Sequence, residues 1–291
     1  MTIEVKSTCL GIGDLISCTP ALRKLSKLVN SKINVYSYKP EILKNLSYIE
    51  NSLLLNSDNY NFIDRDLYNT ENRDDIEFKD IPLFHNMSDI RQFPANTLGF
   101  QLTPDELHCD YIPSEPNELN KYNLPDNYIV IHAELGSWSI KNWSEHKWQE
   151  LCDKLNLPII QVGKRKTKPH NGPPMSYIPA KLNNVINLSN KISLDQTWHL
   201  CNNAKHVITT DSGILHLAGT TDTNIIYIAM GRHPYFTGPY RKGSQNYKCK
   251  IIENNCNWCM SNKMKEFIPV CSYEIKSCEP SVDQVLEAIN G

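Results

Sequence analysis

The stretch Lys205–Gly219, KHVITTDSGILHLAG, decides the fold class. It opens as a short apolar strand at Val207 and Ile208 and breaks into the polar turn Thr209-Thr210-Asp211-Ser212-Gly213. It then resumes as an apolar helix through Ile214, Leu215, Leu217 and Ala218, with His216 inside it. A strand that runs into a helix through small, hydroxyl-bearing residues is the joint of an α/β unit. Such a joint aims backbone N–H groups, at the positive end of a helix dipole, toward whatever lies beyond the strand, and phosphate suits that place. The same residues also suit an ordinary helix start capped by Asp211 or Ser212. The neighbouring segments decide how much is asked of them.

Downstream, Asn224–Met230 (NIIYIAM) has the continuous apolar character of a strand buried on both faces. Upstream, Tyr128–His132 (YIVIH) reads as another. It is followed by a loop, then by Glu145–Leu155 with Trp148, Leu151, Cys152 and Leu155 at helical spacing. Pro158–Val162 is the next strand, ending in Gly163-Lys164-Arg165-Lys166, and Val185–Leu188 is a short one. Ser193 and Gln196 stand as a capping box at the head of a helix through Trp198 and Leu200.

The amino-terminal part repeats the theme. Residues 2–8 alternate as a strand does and lead into Gly11-Ile12-Gly13-Asp14. Leu15, Cys18, Leu22, Leu25 and Val29 then share a helical face. Pro20 lies within that face, so either Thr19 caps a fresh helix or the helix kinks there. Ile33–Ser37 and Ser52–Leu55 are further strands, Ser88–Leu98 reads as a helix, and 56–116 is otherwise polar and irregular. Pro113, Pro116 and Pro125 punctuate a linker, which places the domain change near residue 120. The expectation is an α/β protein with two facing Rossmann-like domains, 1–120 and 121–291, and an interdomain cleft.

A net charge of −2 over 291 residues gives no basic field and argues against nucleic acid as the main partner. No apolar run reaches the length of a membrane span, and the start, MTIEVKSTCLG, has no secretory pattern. A cytoplasmic protein is expected. Of ten cysteines, four are bunched as Cys256-x2-Cys259-x11-Cys271-x6-Cys278. In a reducing compartment that bunching reads as a tetrahedral thiolate site for structural zinc or iron, or as four unliganded thiols, with Cys249 a possible substitute ligand.

The remaining candidates lie where α/β folds place ligand contacts, beyond the carboxyl ends of strands. Gly13 and Asp14 follow the first strand, and position 16 is Ile, so the dinucleotide fingerprint fails. Asp14 is either a helix cap or a general base for a sugar or alcohol hydroxyl. His132 ends its strand, and Lys141 follows between Trp138 and Trp143. Lys164 and Arg165 end the next strand, so three cations are placed to converge on one anion, though each also suits a solvated surface. His216 falls about one turn into the helix that Ser212 and Gly213 begin.

Taken together these motifs resemble glycosyltransferase family 9, the ADP-heptose heptosyltransferases. The matching residues are GIGDLISCTPALRKL from Gly11, IHAELGSWSIKNWS from Ile131, VITTDSGILHLAG from Val207 and IIYIAMG from Ile225. The terminal CNWC cysteines with EPSVDQVLEAI are similar to the iron-binding finger of bacterial autotransporter heptosyltransferases. The resemblance implies a GT-B fold and metal-independent, inverting transfer of a heptose or related sugar. The donor would be a nucleotide-diphosphate sugar, ADP-sugar favoured, held by the C-terminal domain, and the acceptor a hydroxyl on a glycan or protein. It makes Asp14 the base and Lys141 the phosphate-contacting lysine, with Asp211, Ser212, Gly213 and His216 the donor-binding turn. Two positions depart from the family: Lys164 and Arg165 replace an acidic residue that meets the donor nucleoside, and Glu134 and Leu135 replace threonines. The alternatives are a non-catalytic GT-B protein that binds a nucleotide-sugar or a partner, and a nucleotide-sugar epimerase.

Overall fold

The computed structural model describes residues 3–7, 11–55, 89–114, 118–136, 141–168, 175–231, 233–239, 248–253 and 278–291. It divides into two compact units: Met1–Ser114 with Tyr235–Asn246, and Glu115–Pro234 with Tyr247–Gly291. The chain therefore changes unit at 114/115 and makes a second excursion into the first unit after Pro234.

In the first unit, β1 (Ile3–Ser7), β2 (Ile33–Ser37) and β3 (Ile49–Leu54) form a parallel sheet in that order. Helix α1 (Ile12–Leu28) makes the crossover from β1 to β2. It buries Leu15, Ile16, Cys18, Ala21 and Leu22 completely; of the stripe read from the sequence, Leu15, Cys18 and Leu22 are among these, whereas Leu25 and Val29 are half-buried. The helix is continuous through Pro20, so no fresh helix starts at Thr19. A proline lacks the N–H that would bond the carbonyl of Ile16. Here the Thr19 hydroxyl donates to that carbonyl at 2.7 Å, and accepts the Asp110 amide at 2.8 Å. A side chain one position earlier thus replaces the missing bond and ties the helix to a distant segment. At its other end α1 stops in a Schellman motif. Asn30 adopts φ 47°, its amide bonds the Lys27 carbonyl, and the Ser31 amide bonds that of Ser26.

Of the expected helix Ser88–Leu98, the described part is α2 (Gln92–Thr97), with Pro94 in its first turn and Gly99, at φ 86°, just past its end. Ser88 lies outside the described residues. Arg91, fully buried, pairs with Asp89 and donates to the Gly238 carbonyl at 2.6 Å, which fastens the returning segment to its unit.

The second unit is built on a six-stranded parallel sheet. Its strands are β4 (Ile129–His132), β6 (Ile159–Gln161), β9 (Ile186–Asn187), β10 (His206–Thr209), β11 (Asn224–Ile228) and β12 (Cys249–Ile252), in the order β12-β11-β10-β4-β6-β9. Alternate residues of each strand face opposite ways. Ile129, Ile131, Ile208, Ile226 and Ile228 enter one core, with Trp143, Trp148 and Leu151. Tyr128, Val130, Val207, Ile225 and Tyr227 enter the other, with Leu200, Leu215 and Ala218. Two buried faces explain why these strands read as unbroken apolar runs. The helices α3 (Glu145–Lys154), α4 (Leu194–Asn203) and α5 (Gly213–Gly219) cover the faces, and α4 carries the capping box expected at Ser193 and Gln196. A separate small antiparallel sheet of β5 (Glu134–Gly136), β8 (Met175–Pro179) and β7 (Lys166–Lys168), in that order, was not foreseen from the sequence.

After α6 (Pro234–Thr237) and β12, the chain ends in α7 (Val282–Asn290). Its entry is fixed at α3: Trp143 Nε1 donates to the Pro280 carbonyl at 2.9 Å, Ser144 donates to the buried Glu279 at 2.8 Å, and Lys147 pairs with Glu279 at 3.2 Å. Among the described residues, no helix is long and apolar enough to cross a membrane.

Candidate functional site

The order of the six-stranded sheet locates a ligand site without reference to any motif. From β4 the chain moves outward through β6 to β9, then returns to the opposite side of β4 for β10 and continues outward through β11 and β12. The direction of winding therefore reverses between β4 and β10. In open α/β sheets the crevice beyond the carboxyl ends of such a strand pair receives the ligand. The register sets His132 opposite Thr209, the last residues of the two strands. Both loops that leave this point carry residues expected from the sequence.

On the β10 side, Ser212 caps α5, its hydroxyl accepting the Leu215 amide at 3.3 Å. Asp211 is thus not the cap. Thr209, buried at the strand end, joins the two loops: its hydroxyl lies 3.0 Å from Ser212 Oγ and 3.4 Å from His132 Nδ1. His132 is buried, with Nε2 3.4 Å from Glu134 Oε2. Gly163, in the loop just after the neighbouring β6, lies against its ring. At φ +147° it holds a conformation that favours glycine, and a Cβ there would sit 3.5 Å from His132 Cδ2. Helix α5 has only seven residues, so its dipole is that of two turns, and its head acts through individual amides and hydroxyls. His216, its fourth residue, is buried.

On the β4 side, Lys141 returns to the switch point. Its Nζ lies 2.6 Å from Asp211 Oδ2, with the carboxylate side chain 6% exposed and the lysine 23%. Asn142 holds the base of the loop by accepting the Gly136 amide at 2.9 Å and donating to the Gly136 carbonyl at 2.8 Å. Lys141, Asp211, Ser212, Gly213 and His132 are therefore gathered at one place. Lys164 and Arg165 stand at the end of β6, exposed, in a turn fixed by the Arg165 amide donating to Asn190 Oδ1 at 2.7 Å. Among the described residues neither side chain enters an ion pair, so Lys141 alone of the three is held at the switch point.

In the first unit, Asp14 sits in the first turn of α1, half-buried, and Gly13 is buried beside it. Gly11, extended at φ −89°, is the cap, so the helix-cap reading of Asp14 is overturned. Among the described residues no side chain bonds its carboxylate. Of the cysteine group, Cys256, Cys259 and Cys271 lie outside the described residues; Cys278 is buried and Cys249 is half-buried in β12. Among the described residues no three His, Cys, Asp or Glu side chains are grouped to hold a metal.

The model of glycosyltransferase family 9 (heptosyltransferase) matches residues 79–267, which include the whole switch point. The chain belongs to glycosyltransferase family 9. Asp14 falls before the matched residues. A family relative, lipopolysaccharide heptosyltransferase 1 from Escherichia coli O18:K1:H7 (strain RS218 / NMEC), is 22% identical over 194 residues, covering 63% of this chain and 55% of that protein. The chain thus spans about half the length of the curated relative it matches. The glycosyl transferase family 9 structure from Veillonella parvula DSM 2008 superposes with a TM-score of 0.70 at 15% identity, covering 99% of this chain and 96% of that one. TibC from enterotoxigenic E. coli H10407, described as an iron-containing dodecameric glycosyltransferase and also in complex with ADP-D-β-D-heptose, reaches 0.68 at 16% identity, covering 99% and 77%. These likenesses give the fold: α/β with parallel sheets, of the GT-B type.

Sequence reasoning passed over Thr209 and Asn142. Thr209 lies in the quoted motif, and its role follows only from its register with His132. Asn142 carries no periodic signal at all.

Proposed function

We propose that this protein is an inverting glycosyltransferase that moves a heptose or related sugar from a nucleotide-diphosphate donor to a hydroxyl on a glycan or protein. The observation that carries the reading is the placement of Lys141 and the hydroxyl-lined turn 209–213 at the winding reversal between β4 and β10. An ammonium and short polar side chains gathered there fit a diphosphate better than an uncharged ligand. Family membership and the ADP-heptose complex of TibC support an ADP-sugar as donor.

In this reading the donor lies over Asp211, Ser212 and Gly213, with Gly13, His132, Lys141 and His216 completing its contacts. Residues 121–291 form the donor side and 1–120 the acceptor side. Asp14, a carboxylate without a side-chain partner among the described residues, takes the proton from the acceptor hydroxyl. The freed oxygen attacks the anomeric carbon as the bond to the diphosphate breaks on the opposite face, which inverts the configuration. Charge that develops on the departing diphosphate meets Lys141, His216 and the amides at the head of α5, a preorganised electrostatic role that needs no metal. Cys256, Cys259, Cys271 and Cys278 hold a structural zinc or iron, a reading supported by the iron ascribed to TibC; elemental analysis of the purified chain that finds neither metal would end it.

The test of the main reading is a thermal-unfolding series with ADP-, UDP-, GDP- and CDP-sugars. A donor at 100 times its Kd stabilises the folded state by about 2.7 kcal/mol. The expected outcome is a rise with ADP-sugars above the other three, followed by transfer of labelled sugar to an acceptor extract. A melting temperature unmoved by any of them would defeat it. Binding without transfer or hydrolysis would favour the non-catalytic alternative.

A further inference from the structure

We propose that Asp211 is a positioning residue: its buried carboxylate fixes the ammonium of Lys141 and acts on a bound diphosphate through that ammonium, not by touching the diphosphate. The proposal rests on the reading of this site as a diphosphate site. In a contact of 2.6 Å the carboxylate is the inner partner, 6% exposed, and the lysine the outer one, 23% exposed. An anion that approaches from solvent therefore meets Lys141 first.

Three features give the pair this role. A lysine stem has four rotatable carbons, and its ammonium is a point charge whose direction the protein must set. Pairing one N–H of the tripod with Asp211 orients the other two. Both anchors are also set by bonds that owe nothing to a ligand. Asn142 grips both the amide and the carbonyl of Gly136 beside Lys141, and Ser212, next to Asp211, is engaged by Leu215 and Thr209. The pair thus ties the loop after β4 to the turn after β10, the two sides of the winding reversal.

Charge alone pulls the other way, because a carboxylate repels a diphosphate and offsets part of the lysine's charge. Coulomb interaction falls with distance. An anion against the outer face of the ammonium is attracted by the nearer cation more than it is repelled by the farther carboxylate. Orientation then decides the sign, and loss of Asp211 weakens binding.

A double-mutant cycle read by calorimetric titration with ADP, a probe without a sugar, tests this. K141M is expected to weaken ADP by about 10- to 100-fold and D211N by about tenfold, while K141M/D211N binds no more weakly than K141M. Unchanged ADP affinity in D211N would give Asp211 a contact to the sugar, and tighter ADP would make it a mask over the lysine. Multiplying losses in the double variant would give it a contact of its own. Any of these overturns the proposal. If circular dichroism shows D211N unfolded, D211E, which displaces the carboxylate by one carbon, is run instead. It must weaken ADP when Lys141 is present and have no effect in the K141M background. Failure of the wild-type chain to bind ADP sinks the diphosphate reading itself, an outcome separate from any result of the cycle.

Discussion

Two carboxylates of the first unit, Asp14 and Asp110, both belong to the surroundings of α1, and they differ in nearly everything else. Asp110 meets the middle of the helix and is spent. It pairs with Arg23, accepts the Tyr48 phenol at 2.7 Å, and its amide reaches the Thr19 hydroxyl that repairs the gap at Pro20. Arg23 adds bonds to the carbonyls of Glu106 at 2.7 Å and His108 at 2.9 Å. Burial first, and the Asp110 carboxylate second, push the Tyr48 phenol well above its ordinary value. Asp14 stands in the first turn of the same helix, beyond the end of β1, without a side-chain partner among the described residues. The difference teaches that a polar group whose bonding capacity is consumed inside the fold stabilises it. One left over at a strand's carboxyl end is available for chemistry.

The largest effect that would break this comparison comes from Asp14→Asn. Turnover should fall by roughly 10²- to 10⁴-fold while ADP affinity and urea stability stay at wild-type values. A variant that keeps full turnover leaves Asp14 no part in the reaction. Asp110→Asn should do the reverse: lose about 1–3 kcal/mol of stability to urea, because it strands Arg23 and Tyr48, while the activity of each folded molecule changes little. Next, Thr19→Val leaves the Ile16 carbonyl and the Asp110 amide without their hydroxyl and should cost about 1–2 kcal/mol. A cost near zero would mean that α1 tolerates Pro20 unaided.

The smallest effect sharpens the comparison by belonging to neither region. Burial pushes the Cys201 thiol in the second unit's core from 9.0 up to about 12. The folded pKa is the higher one, so this contribution is fully present well below pH 9, begins to fall as pH approaches 9 and is lost as pH rises toward 12. Between pH 8 and pH 9 the loss from Cys201 is below about 1 kcal/mol. The difference between wild type and Cys201→Ala in urea titrations at the two pH values measures it.

How far the site could be read ahead varied with the kind of signal each residue carries. Ser212 and Gly213 were legible because a strand, a hydroxyl-rich turn and a helix are all local patterns. The capping box at Ser193 and Gln196 was legible for the same reason. Asp211 was visible as part of that turn but not as the partner of Lys141, which is 70 residues away in the chain. The Lys164–Arg165 pair was expected to converge with Lys141, and it remains exposed at the end of β6. Strand ends can be inferred from sequence, whereas the direction of a long side chain is set by its neighbours.

By itself the amino-acid sequence determined the α/β class, the strands of both parallel sheets except β12, and the polar turn after β10. Each follows from apolar periodicity and turn chemistry within a few residues. Only the tertiary structure decided that β10 returns beside β4, that Thr209 links His132 to Ser212, and that the Thr19 hydroxyl carries α1 through its proline. Those depend on which distant segments share a boundary. Hydrogen bonding and burial fix that choice once the chain has closed on itself, and no local pattern records it.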